Sequence, residues 1–223
     1  VLYKFFFDLL FKNAVIIVLC NDQKGQTLAV MGKDSIVLNN CINRSVVVEN
    51  KIKNNILQIC YISNISREKG TFDLIKVVQN RTDVKLIIAG DFLSEKEDFL
   101  KLVEQCENIS YVGFAGEEVK QEIFESSDIF CLPSKLEEGS PISIIEAMSY
   151  GLPIIASDKG CIKDMIDGLG YLLPKDYSGN DIIDGIEFIK SRYYTLSVNA
   201  IKEYKQNYSQ EKFIQNLKSI LKG

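Results

Sequence analysis

The stretch Pro133-Ser134-Lys135-Leu136-Glu137-Glu138-Gly139-Ser140-Pro141-Ile142-Ser143-Ile144-Ile145-Glu146-Ala147-Met148 decides how this chain is read. Ahead of it lies Asp128-Ile129-Phe130-Cys131-Leu132, a short apolar run stopped by Pro133, as expected of a strand covered on both faces. After it, Ile142, Ile145, Ala147 and Met148 fit a helix with one buried side, ended by Gly151 and Pro153. Pro141 suits the first helical turn, where its missing N–H costs nothing. The sequence therefore predicts a strand, an acidic loop and a helix whose N-terminus faces that loop. Such an end offers free N–H groups and partial positive charge, which suits phosphate.

The same grammar repeats outward from this point. Strands are expected at Ile56–Ile62, Val84–Ala89, Ile109–Val112, Ile154–Ala156 and Tyr171–Leu173. Helices are expected after Thr71 (read as a cap), after a Ser94/Glu97 capping box, over Glu117–Ser126, near Ile162–Ile166, and two or three times between Asp181 and Lys222. Strands alternating with helices of this length specify an α/β fold with a doubly wound parallel sheet, Rossmann-like in type. Ligands of such sheets bind beyond the carboxyl ends of the strands. The turns there are Ser63–Gly70, Gly90-Asp91, Gly113-Phe114, Pro133–Pro141 and Ser157–Gly160.

Toward the N-terminus the pattern is weaker. Leu2, Phe5, Phe6, Leu9 and Leu10 repeat at helical spacing, but Lys4, Asp8 and Lys12 interrupt the run, so it reads as an amphipathic helix and not a span. A strand at Ala14–Leu19, a helix over Asn21–Gly32 and a strand at Asp34–Leu38 follow, then a polar connector over Asn39–Asn55. The start at Val1 suggests a fragment or processed product.

Composition removes several function classes. The 223 residues carry a net charge of −4, which argues against nucleic acid as the main partner. There is no histidine, so Ser-His triads and the usual zinc ligands are absent. The six cysteines, Cys20, Cys41, Cys60, Cys106, Cys131 and Cys161, lack C-x-x-C spacing and are expected to be reduced thiols of a cytosolic protein. No G-x-G-x-x-G follows Ile56–Ile62 and no P-loop motif occurs, so nicotinamide and P-loop nucleotide sites are not indicated.

Chemistry is left to few groups. Glu138 and Glu146 lie eight positions apart across the helix start, and Ile142 to Glu146 rises about 6 Å at 1.5 Å per residue. One carboxylate thus sits at the loop mouth and the other one turn up the helix, where both can accept hydroxyl hydrogen bonds. Two ordinary surface glutamates are the plain alternative. A hydrolytic acid/base pair is a further one, but it leaves the helix N-terminus without a task. Lys69 belongs to the same crevice wall and can neutralise phosphate, as can Arg67, unless both are solvated turn residues. Asp91, Asp128 and Asp158 read as turn and cap residues.

Taken in order, Glu68-Lys69-Gly70, Leu86 to Asp91, Tyr111 to Phe114, and Asp128 to Met148 with Gly151, Pro153 and Ala156-Ser157 form a recognisable set. Together they resemble the C-terminal, donor-binding domain of retaining glycosyltransferases of the GT-B fold, known as group 1 or family 4. The segment P-S-x-x-E-E-G-x-P-x-x-x-x-E-A-M contains that family's E-x7-E signature as Glu138 and Glu146. The resemblance runs from about Ile56 to Pro174, and more loosely to Leu221. It implies nucleotide-sugar binding and transfer to a glycan or lipid-linked acceptor, with retained anomeric configuration and no metal or other cofactor. It implies catalytic roles for Glu138 and Lys69, and donor contacts from Glu146, Gly139, Ser140, Pro141, Ile142, Asn64, Arg67, Gly113, Phe114 and Ser134.

The family's G-R pair falls here on Ser63 and Asn64, so one phosphate cation is replaced unless Arg67 substitutes from a shifted position. The resemblance also implies a division into 1–43 as the tail of an acceptor-binding domain, 44–207 as the nucleotide-sugar domain, and 208–223 as a helix packing back on the acceptor half. That half would meet the acceptor and, peripherally, the cytoplasmic face of a membrane. The other implied reading is a nucleotide or nucleotide-sugar binding module without catalysis.

Overall fold

The computed structural model describes residues 10–44 and 56–222. The amphipathic helix expected from Leu2, apart from its last residue Leu10, and the Val46–Val48 part of the connector lie outside the described residues. Within them the chain forms β1 (Ile17–Val18), α1 (Asn21–Met31), β2 (Ile36–Val37), β3 (Leu57–Ile62), α2 (Thr71–Val78), β4 (Val84–Ala89), α3 (Lys96–Val103), β5 (Ile109–Tyr111) and α4 (Glu117–Ser126). It continues through β6 (Ile129–Leu132), α5 (Ile142–Ser149), β7 (Ile154–Ser157), α6 (Ile162–Ile166), β8 (Gly170–Leu173), α7 (Gly179–Glu203), a π-helical turn (Tyr204–Tyr208) and α8 (Gln210–Lys222).

β1 and β2 form a small parallel pair, and the remaining six strands form one parallel sheet ordered β5-β4-β3-β6-β7-β8. Side chains of a strand alternate between faces, yet all four residues of β6 and of β7 are buried. Only helices on both faces produce that pattern, so the sheet is doubly wound as the sequence predicts. Ile59, Cys60, Tyr61, Ile129, Phe130 and Cys131 are fully buried at its centre. The chain winds outward from β3 to β5, then returns to β6 on the other side of β3. The loops after β3 and β6 therefore part at that point and leave a crevice.

Local details differ from the sequence reading. Gly70, not Thr71, caps α2, with φ +75°, and the Thr71 side chain is buried in the first turn. A Cβ at residue 70 would lie 2.6 Å from the Tyr177 hydroxyl, which itself bonds the Pro133 carbonyl at 2.6 Å. Glycine thus lets the chain turn against the neighbouring loop, and that tertiary need overrides a threonine cap. The Ser94/Glu97 capping box does not form. Glu95 caps α3 with φ 55°, and the Ser94 hydroxyl turns to the Glu95 carboxylate. A true capping box occurs instead at Ser178 and Asp181, opening α7. Pro141 occupies the cap of α5 and Ile142 its first turn.

The expectation that all six cysteines are free thiols is overturned. Cys20 and Cys161 are disulfide-bonded across 141 residues of sequence, while Cys41, Cys60, Cys106 and Cys131 stand outside the disulfide as thiols. Their spacing carries no motif because the pair is brought together by tertiary packing between the end of β1 and the loop before α6. Among the described residues no helix is long and apolar enough to cross a membrane.

Candidate functional site

The crevice at the switch point contains a cavity of about 420 Å³, lined by the loop after β3 (Ser63, Asn64), the ends of β4 (Gly90, Asp91), the turn after β5 (Phe114 to Glu117), Lys120 of α4, and Ile142 and Glu146 of α5. The ends of three strands, β3, β4 and β5, meet helices α4 and α5 here because the strands run parallel and finish on the same side. Phe114 is 75% exposed at its rim, a large ring that the protein itself does not cover. Tyr61 fixes the Ser63–Asn64 turn from beneath by donating to the Asn64 carbonyl at 2.6 Å.

Inside the cavity, Lys120 Nζ lies 2.6 Å from Glu146 Oε1 and 2.7 Å from Glu117 Oε1. Burial works against the ammonium, but its hydrogen bonds to Glu117 and Glu146 outweigh that and raise its pKa. The lysine therefore stays charged. Glu146 sits one turn into α5, as its spacing from Pro141 requires.

The other predicted carboxylate is also paired. Lys69 Nζ meets Glu138 Oε1 at 2.7 Å, with side-chain exposures of 16% and 11%. The two residues are 69 apart in sequence and are joined because their loops touch: Lys135 N–H donates to the Glu68 carbonyl at 2.7 Å. The Glu138 loop is held from behind by Cys161 N–H, which donates to the Glu138 carbonyl at 2.9 Å. The N-terminal segment lies over the same loop, with Leu19 and Gln23 next to Gly139, and Asn40 Nδ2 donating to the Ser140 carbonyl at 3.1 Å.

The predicted residues thus fall into distinct positions. Lys69 and Glu138 form one pair, Glu146 faces the cavity, and Gly139 to Ile142 lead from one to the other across the start of α5. Asn64 and Phe114 line the cavity, and Gly113, at φ +79°, makes the turn that presents Phe114. Ser134 is fully buried, its hydroxyl accepting from Leu136 N–H at 3.2 Å and its carbonyl bonded by Ser157, so it shapes the loop from inside. Arg67 is not brought in. It reaches outward to Asp98 at 3.3 Å and Glu95 at 3.7 Å and lies over the Phe72 ring.

Sequence reasoning missed Lys120, whose i,i+3 spacing from Glu117 marks only an ordinary exposed helix face. Asp91 lines the cavity in addition to forming a turn. Asp128 anchors strands: its carboxylate accepts from Gln58 N–H at 2.8 Å, joining β6 to β3. Among the described residues no group of three or more His, Cys, Asp or Glu is placed to hold a metal ion.

Comparison with known proteins adds the following. The profile of the family described as "Glycosyl transferases group 1" matches residues 44–216. A lipopolysaccharide 1,2-N-acetylglucosaminetransferase of Salmonella typhimurium is 28% identical over 143 residues, covering 57% of this chain and 38% of that protein. A phosphatidyl-myo-inositol mannosyltransferase of Mycobacterium tuberculosis is 28% identical over 144 residues, covering 59% of this chain and 37% of its own length. The chain thus matches well under half of either relative. Among solved structures, Anabaena Alr3699/HepE in complex with UDP and glucose superposes with a TM-score of 0.78 at 19% identity, covering 94% of this chain and 63% of that one. A glycosyltransferase from Rickettsia africae gives a TM-score of 0.81 at 17% identity, covering 98% and 65%.

Proposed function

The chain belongs to the group 1 glycosyl transferases, and from that membership we propose that its crevice holds a nucleotide-sugar for transfer of the sugar to a glycan or lipid-linked acceptor. The observation that carries this reading is the placement of Lys69–Glu138 and Lys120–Glu146 at the two ends of the α5 N-terminus, beside a cavity large enough for a nucleoside. A diphosphate laid across that terminus meets the N–H groups of Ile142 and Ser143, while that of Ile144 already donates to the Pro141 carbonyl at 3.1 Å. Glu146 then accepts from the ribose hydroxyls, with the base toward Gly113 and Phe114. Glu138 accepts from a hydroxyl of the sugar, against the backbone of Gly139 to Ile142.

In the transfer step the bond from the anomeric carbon to the phosphate oxygen breaks and its electron pair leaves on the diphosphate. Lys69, already at the loop mouth, balances that charge in place of a metal ion. The acceptor oxygen bonds the anomeric carbon on the face the diphosphate vacates, which retains configuration, and its proton passes to the departing phosphate. The acceptor site belongs to a partner half, of which residues 1–43 are the tail and 208–223 the returning helix. Polysaccharide or glycolipid synthesis on the cytoplasmic side of a membrane suits such a division. UDP and UDP-glucose in the superposable Anabaena structures support the choice of ligand class.

Calorimetric titration of the chain with UDP, GDP and ADP tests the donor site. One nucleotide is expected to bind, and Glu146→Ala to weaken it by about 1–3 kcal/mol, the worth of charged hydrogen bonds. Absence of binding, or no effect of the substitution, would overturn the assignment. The outward course of Arg67 favours a second reading, a binding module without catalysis. Transfer by the full-length protein, lost on Lys69→Ala, would exclude that reading.

A further inference from the structure

Lys120 is the only cation among the described residues that line the cavity, and it touches the one carboxylate to which the proposed reading gives the ribose. Its bond to Glu117 reaches a side chain that is 86% exposed, so solvent screens that contact. The contact to Glu146 joins side chains that are only 20% and 15% exposed, where a charge-assisted hydrogen bond is held more firmly. A glutamate left to itself has among the largest rotamer freedoms of any side chain. An ionised carboxylate offers about four lone-pair sites across two oxygens. Lys120 uses one of them, and enough remain for two vicinal hydroxyls.

We propose that Lys120 is a positioning residue for the donor: its ammonium holds the Glu146 carboxylate in the orientation that accepts the ribose 2′- and 3′-hydroxyls together, so that the cavity selects ribonucleotides over 2′-deoxyribonucleotides. This rests on the reading of the crevice as a donor site and adds to it the origin of sugar discrimination in the nucleoside. Lys120 itself need not touch the ligand.

The test is ligand-observed NMR or calorimetry on the chain with UDP, GDP and ADP, followed by the 2′-deoxy form of whichever binds best. Lys120→Met is expected to weaken the ribonucleotide by about tenfold, the size of one lost charge-assisted contact. The 2′-deoxy form should weaken much less, so that the preference between the two shrinks. Lys120→Arg should keep most of the affinity and preference, a rescue that a purely structural role would not predict. Thermal unfolding verifies that Lys120→Met is folded; if it is not, Lys120→Gln against Lys120→Arg carries the same comparison.

Unchanged or tighter binding by Lys120→Met overturns the proposal, because the lysine would then be irrelevant or a competitor for Glu146. An equal loss on ribo and deoxy forms also overturns it and assigns Lys120 to direct contact with phosphate or base. If Glu146→Ala weakens binding while Lys120→Met does not, the donor site stands and only the positioning role falls. If wild type binds none of the three nucleotides, both fall.

Discussion

A Cβ placed on Gly160 would collide with the Glu138 carbonyl oxygen and lie 2.8 Å from the Glu138 nitrogen, and the backbone there has φ +57°. The glycine is therefore fixed by two independent demands, a left-handed conformation and a close approach to the loop that carries Glu138. Gly168 shares the left-handed conformation, at φ +72°, but a Cβ there meets nothing within 4 Å. Gly168→Ala should thus lose only the backbone strain of about 1–2 kcal/mol. Gly160→Ala should lose distinctly more and also weaken binding of a nucleotide-sugar relative to its nucleotide, because Glu138 is displaced. Denaturant melts of the two variants decide this, and equal losses would show that the loop yields freely. At this scale the sequence singles out Glu138, Glu146 and Lys69 by a motif in register, and the structure pairs Lys69 with Glu138 and places Glu146 in the cavity wall. Lys120 has no such motif, because its place in the cavity depends on which helix face the fold turns inward. Arg67 misled for the same reason: three nearby groups, Glu95, Asp98 and Phe72, draw it outward.

Elements are tied by a different set of charges. Arg81 and Asp83 precede β4, and Lys190 and Glu187 lie on α7. Asp83 accepts from Arg81 and Lys190 at 2.7 Å each, and Arg81 also reaches Glu187 at 2.8 Å. The hydrogen bond from Arg81, then that from Lys190, holds the Asp83 carboxyl well below its ordinary range, and Glu187 is lowered chiefly by Arg81. A lowered folded-state pKa means that the unfolded chain takes up protons first. The stabilisation is then complete above the unfolded pKa of about 4 and is lost as pH falls through and below it. The Asp83 side chain is 42% exposed, so screening limits the network to about 1 kcal/mol. The melting midpoint should therefore hold above about pH 5 and drop as pH falls through about 4 and below it, and Asp83→Asn should flatten part of that drop. A mutant curve parallel to wild type would remove the network from the account. Element order and type were readable from periodicity, as β6 and α5 show. Caps were not: Gly70 and Glu95 are set by contacts from other segments, which no local pattern records.

Across the whole molecule, the N-terminal segment is fastened to the six-stranded body at three places among the described residues, the third being the Asn40 bond to the Ser140 carbonyl. Ile42 exchanges backbone hydrogen bonds with Tyr208 and Gln210, while the Tyr204 hydroxyl bonds the Ile42 and Arg44 carbonyls and Arg44 lies 3.4 Å over the Tyr150 ring. The second fastening is Cys20–Cys161, whose sulfur-bearing residues are 4% and 1% exposed. Because Cys161 also donates to the Glu138 carbonyl, this bond links the segment over Gly139 directly to the loop of the proposed sugar contact. A crosslink spanning 141 residues restricts the unfolded chain strongly, and Cys20→Ser should lower stability by about 2–4 kcal/mol under oxidising conditions. In a reducing compartment the bond opens and the non-covalent ties at Asn40, Ile42 and Arg44 remain, so a dithiol should lower the wild-type midpoint and leave that of Cys20→Ser in place. Alkylation of the unfolded, unreduced protein should label four cysteines, namely Cys41, Cys60, Cys106 and Cys131. Labelling of all six, together with a dithiol-insensitive wild type, would show that the N-terminal segment is held at the Glu138 loop by non-covalent contacts alone.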